Sequence, residues 1–139
     1  MTHTVTCTWL ENMKFETDVM GHKLTVDADQ SVGGEDLGPR PKPLILSALA
    51  GCTGMDVISI LKKMRIVPTF FDMEVEGFLT DEYPKTYDKI HLTYLFRESD
   101  NLDGDKVRTA VEKSQEKYCG VSALLKKGCD LSYEIKFVE

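Results

Sequence analysis

Two cysteines sixty-seven positions apart, Cys52 and Cys119, are the residues of this chain best suited to chemistry. Cys52 lies in Pro43-Leu-Ile-Leu-Ser-Ala-Leu-Ala-Gly-Cys52-Thr-Gly-Met-Asp-Val-Ile-Ser-Ile-Leu61, the most apolar stretch of the sequence. Cys119 lies in Glu116-Lys-Tyr-Cys119-Gly-Val-Ser122, where one helical pattern stops and a shorter one starts. Two thiols brought together can cycle between a dithiol and a disulfide as a redox pair. Gly51 and Gly54 flank Cys52 and leave room for a close approach, while Ala48 and Asp56 lie one helical turn away on its face. The same residues also fit a packed, inert thiol in a tight helix. Composition alone leaves both readings open.

Activation of Cys52 would need a neighbouring cation or a helix N-terminus. Cys52 is nine residues past Pro43, about 13 Å along a helix, so the macrodipole helps little. An ionised Asp56 would oppose thiolate formation. Positive charge must come from another element or another subunit, with Lys14, Lys23 and Arg40 as candidates. Cys7, on a strand face with Val5 and Trp9, and Cys129, heading an apolar stripe, read as small core hydrophobes. No C-x-x-C pair or close histidine cluster suggests a metal site, and no cofactor is expected.

The elements that must position these thiols follow from periodicity. Residues 3–10 alternate as a strand, and two further short strands follow Glu11-Asn12 and Met20-Gly21 turns, giving an antiparallel meander. A Gly- and Pro-rich loop over 28–42 leads into the helix, with Pro43 in its first turn. After Pro68, segments around 71–79 and 89–97 alternate with opposite charges on their polar faces, as cross-strand partners do. From Asp103 the period becomes helical, with Asp103 or Asp105 as cap and Val107, Ala110, Val111, Ser114 and Tyr118 as one stripe. A short helix over 122–127 ends at Gly128, and Cys129, Leu131, Tyr133, Ile135 and Phe137 alternate in a closing strand. The order β-β-β-α-β-β-α-α-β predicts one α+β domain over residues 1–139, with antiparallel sheets around a central apolar helix.

Composition narrows the function. At 139 residues with 42% hydrophobic and 29% charged residues, the chain reads as globular. A net charge of -6 with dispersed lysines argues against a nucleic-acid partner. Ser47, Gly51, Thr53, Gly54, Asp56 and Ser59 interrupt the apolar stretch, so a membrane span is not expected. No secretory signal is visible, which makes a reducing cytoplasm the expected compartment. The helix is apolar in nearly every direction, and burial of its second side in a symmetric dimer is the expected solution.

The run Gly38-Pro-Arg-Pro-Lys-Pro-Leu-Ile-Leu-Ser-Ala-Leu-Ala-Gly-Cys52-Thr-Gly-Met-Asp-Val57 and the later Glu116-Lys-Tyr-Cys119-Gly-Val-Ser122 resemble the family of osmotically inducible protein C and the organic hydroperoxide resistance protein. The resemblance covers nearly the whole chain. It implies an intertwined homodimer with two sites at the subunit interface. It further implies that Cys52 attacks the peroxide and becomes a sulfenic acid, and that Cys119 resolves it as a disulfide for a cellular dithiol to reduce. Members of the peroxidase subgroup carry a glutamate ten residues before the first cysteine and an arginine in the early strands. Here Lys42 holds the first position, and Arg40, on the loop, is the only arginine ahead of Cys52.

The expected substrate is an organic hydroperoxide, suited by an apolar lining from residues such as Leu49 and Met55, with Arg40, Lys42 and Asp56 as supporting groups. The alternative from another class is a non-catalytic dimer that binds an apolar small molecule at the subunit interface.

Overall fold

The computed structural model describes residues 1–139, which divide into two compact units, 1–45 and 46–139. The first unit is an antiparallel three-stranded sheet of β1 (Val5–Trp9), β2 (Phe15–Val19) and β3 (His22–Val26). Both expected turns form. Met20 and Gly21 each adopt positive φ, as a two-residue hairpin with right-twisting strands requires, and Asp18 accepts a bond from the Gly21 N–H at 2.8 Å. The register places Val5, Cys7 and Trp9 opposite Val19, Thr17 and Phe15 on one face.

That face corrects one expectation. Cys7 is exposed rather than packed, every residue of β1 is exposed, and Trp9 keeps 61% of its surface. Alternation identified the apolar face correctly, but nothing within this unit covers it over β1.

The loop after β3 is ordered around Asp27. Its carboxylate accepts bonds from the N–H groups of Ala28, Glu35 and Leu37. Burial works against the charge, but these three donors hold the carboxyl below its ordinary value. Gly34 and Gly38 pass so close to the backbones of Ala28 and Thr25 that a Cβ at either position would collide with main chain. Only glycine fits there.

Helix α1 (Leu44–Lys63) follows Pro43. The second unit continues with β4 (Phe71–Leu79), β5 (Tyr87–Arg97), α2 (Gly104–Lys113), a π-helical turn at Ser114–Tyr118, α3 (Gly120–Leu125) and β6 (Asp130–Val138). Strands β4 and β5 pair antiparallel, as the charge pattern indicated. Strand β6 pairs parallel to β5, so this sheet is mixed and not purely antiparallel. The intervening helices supply the crossover that a parallel neighbour needs.

The core forms where α1 lays Leu49, Thr53, Val57 and Leu61, spaced by four, into a cluster with Ile90, Leu92, Tyr94 and Phe96 of β5. Val107, Ala110 and Val111 of α2 complete it. Helix α1 is long and apolar enough to cross a membrane by length and composition. Its one fully buried stripe instead makes it the central helix of the second unit's core. Its other faces remain apolar and open, with Met55 77% exposed.

Asp103 caps α2, accepting bonds from the N–H groups of Asp105 and Lys106. The predicted stripe on this helix holds through Ser114 and then shifts. Gln115 is buried at 3% exposure, whereas Tyr118 is 52% exposed. A π turn carries one more residue per turn than the α pattern assumes. The inward position therefore moves from Tyr118 to Cys119, which is 3% exposed.

Candidate functional site

The π turn closes with the Cys119 N–H donating to the Ser114 carbonyl at 2.7 Å. Cys119 then leaves helical geometry, with extended dihedrals, and caps α3 by accepting a bond from the Ser122 N–H at 3.4 Å on its sulfur. Cys52 lies on α1 directly after the Gly51 that frees its flank, and it is half-buried. Cys119 belongs to the buried core cluster and Cys52 packs against that cluster, close enough that the Cys119 side chain and the Val121 N–H both bear on its titration. No disulfide joins them.

Electrostatics at Cys52 favour the protonated thiol. Burial pushes its pKa up first, and the Cys119 side chain and the Asp56 charge push the same way. The Val121 N–H opposes them by favouring the thiolate.

Behind Cys52 runs a buried polar chain. The Thr53 hydroxyl lies 2.6 Å from the Tyr94 hydroxyl and 2.7 Å from that of Ser114. Ser114 donates to Asp56 Oδ2 at 2.9 Å, and Gln115 Nε2 donates to the Tyr94 hydroxyl at 2.7 Å. Each hydroxyl has a single proton. Because Ser114 gives its proton to the carboxylate, Thr53 must donate to Ser114 and Tyr94 to Thr53. The relay runs from Gln115 through Tyr94, Thr53 and Ser114 and ends on Asp56. Burial raises the Tyr94 pKa, so its phenol stays protonated as this relay requires.

Gln115 Oε1 and Ser122 Oγ, four residues before Cys119 and three after it, are buried without a protein partner. Thr53→Val should break the relay at its centre, leaving the buried Tyr94 hydroxyl without its acceptor and the Ser114 hydroxyl without its donor. We expect a loss of about 1–3 kcal/mol, read as a lower urea midpoint at unchanged slope, with Thr53→Ser costing much less.

Of the residues singled out by sequence, Cys52, Cys119 and Asp56 come together. Leu49 is fully buried in the core, whereas Met55 faces outward. Arg40 and Lys42 belong to the first unit. There the Arg40 guanidinium is committed to Asp36 at 2.6 Å and Asp29 at 3.4 Å. Lys42 is exposed. Cys129 donates its thiol proton to the Leu125 carbonyl at 3.1 Å, a structural bond.

Sequence reasoning did not assemble Thr53, Tyr94, Ser114 and Gln115. The available signal was a set of polar groups at core-phase positions: Thr53 on the apolar helix, Tyr94 on the inward face of β5, and Ser114 on the buried stripe of α2.

Comparison with known proteins extends the picture. Residues 33–134 match the family model described as OsmC-like protein. Protein YhfA of Escherichia coli strain K12 is 31% identical over 130 residues, which cover 91% of this chain and 93% of YhfA. A hypothetical protein from Aquifex aeolicus VF5 superposes with a TM-score of 0.82 at 27% identity, covering 100% of this chain and 99% of that one. The organic hydroperoxide resistance protein OhrB of Bacillus subtilis superposes with a TM-score of 0.69 at 18% identity, covering 98% of each chain.

Proposed function

This chain belongs to the OsmC-like family, and from that membership we propose that it is a thiol-dependent peroxidase that reduces organic hydroperoxides through Cys52 and Cys119. The convergence of Cys52 and Cys119 on one core cluster carries this reading.

The Cys52 thiolate attacks the outer peroxide oxygen, and the O–O bond breaks. Sulfur is oxidised to the sulfenic acid, and the alkoxide leaves as the alcohol after taking up the proton lost by the thiol. Cys119 then attacks the sulfenic sulfur, water departs and a disulfide forms. An external dithiol returns both cysteines to the reduced state. Its two electrons balance those accepted by the peroxide. The cycle also needs a reducing compartment, and we assign the protein to the cytoplasm on that ground.

We further propose that it works as a homodimer. The apolar face bearing Val5, Trp9, Phe15 and Val19, and the outward Met55 and Ile58 of α1, are exposed in one chain. Soluble proteins rarely leave so much apolar surface open.

A second reading has one observation in its favour. The raised pKa of Cys52 suits a non-catalytic dimer that binds an apolar small molecule beside an inert thiol. Trapping separates the two. In Cys119→Ser protein treated with cumene hydroperoxide, the sulfenic acid on Cys52 has no resolving partner. Dimedone should then label Cys52 stoichiometrically, and peptide mapping should find the adduct there. Protein that stays unlabelled supports the binding reading.

A further inference from the structure

A cavity of about 300 Å³ opens between the C-terminal half of α1 and the end of α2 with its π turn. Its charged walls are Lys63 and Lys113, set against Asp56. Neither lysine takes part in an ion pair. Each lies in the last turn of its helix, the end at which the macrodipole favours a positive charge. Two ammonium groups facing one carboxylate leave the cavity with a surplus of a single positive charge, which matches a monoanion better than a dianion. Ser59 and Tyr118 add hydroxyl donors, and Ile60 and Met64 add apolar wall. A lining that is part cationic and part apolar fits a molecule with one charged end and a hydrocarbon body.

The placement along α1 gives this cavity a direction. Cys52, Asp56, Ile60 and Lys63 follow one another at spacings of four, four and three, so they share a helix face. Lys63 lies eleven residues beyond Cys52, a rise of about 16 Å. A ligand held by its charged end at Lys63 can lay its chain along α1 toward the paired thiols.

We propose that this cavity binds the carboxylate end of an amphipathic monocarboxylic acid, with Lys63 and Lys113 as the recognising cations. The proposal stands on the cavity and its unpaired lysines, and it holds whether or not Cys52 turns over a peroxide.

Calorimetric titration of the reduced protein with octanoate, and in parallel with 1-octanol, tests it without any catalytic readout. Octanoate should bind with one site per chain and more tightly than the alcohol. The exposed positions of both lysines let them be replaced without disturbing the core. Lys63→Gln with Lys113→Gln should weaken octanoate by about tenfold or more, the scale of losing charge-assisted hydrogen bonds, and bring it level with octanol. Lys63→Arg, which keeps the charge, should retain most of the affinity. Octanoate that binds no better than octanol, or that is indifferent to the double replacement, overturns the proposal. Octyl phosphate binding more tightly than octanoate overturns its monoanion specificity.

Discussion

Cys52→Ser should lower the rate of hydroperoxide reduction by about 10³-fold or more, the scale of removing an enzyme nucleophile. A serine hydroxyl is not ionised near neutral pH and cannot form the sulfenic intermediate. The substitution is nearly isosteric at a half-buried site, so stability should change by less than about 1 kcal/mol. A thermal melt alongside the peroxide-consumption assay would separate lost chemistry from lost fold. Cys7→Ser serves as the contrast. Its thiol lies in the first unit and takes no part in the proposed chemistry, so the rate should not move. Equal rates in wild-type and Cys52→Ser protein would remove Cys52 from the chemistry.

The second large effect is on pH. Burial, Cys119 and Asp56 all raise the Cys52 pKa, and only the Val121 N–H opposes them. With the folded value above the ordinary thiol value of about 8.5, only a small fraction is thiolate at neutral pH. The second-order rate of Cys52 oxidation should therefore climb about tenfold per pH unit from 6 through 8, with no plateau until beyond the ordinary value. The sign for stability follows from the same shift. A raised folded pKa means that the native state holds its proton longer than the unfolded chain. Its contribution is complete below the unfolded pKa and is lost as pH rises through the folded one. Stopped-flow oxidation by cumene hydroperoxide across this range checks the kinetic claim. A rate that levels off below pH 7 would mean that a cation supplied by a second subunit outweighs burial.

Much of the fold was legible because it rests on local periodicity. The meander, the loop into α1, the Asp103 cap and the final strand all follow from spacings within a few residues. The parallel direction of β6 was not legible. Alternation gives a strand its two faces but says nothing about its sense relative to a neighbour that ends at Arg97, 33 positions before Asp130. Tyr118 was misplaced because a single π turn shifts helical phase, and the backbone bond from Cys119 to Ser114 leaves no mark in residue type. That shift is also what turns Cys119 into the core cluster against which Cys52 packs. The thiol pair was therefore suggested by its two sequence contexts, while its cause lay in a feature the pattern could not show. The relay from Gln115 to Asp56 links residues up to sixty-two positions apart and depends wholly on tertiary packing. Cys7 was read as core because its strand alternates. Alternation reveals which side is apolar, not whether the same chain covers it.

The most direct test of the central claim is the intact mass of fully reduced wild-type protein after one equivalent of cumene hydroperoxide. The account predicts a single product lighter by two hydrogens, with proteolysis joining the peptides that carry Cys52 and Cys119. An unchanged mass, or a disulfide that engages Cys7 or Cys129 instead, would contradict it.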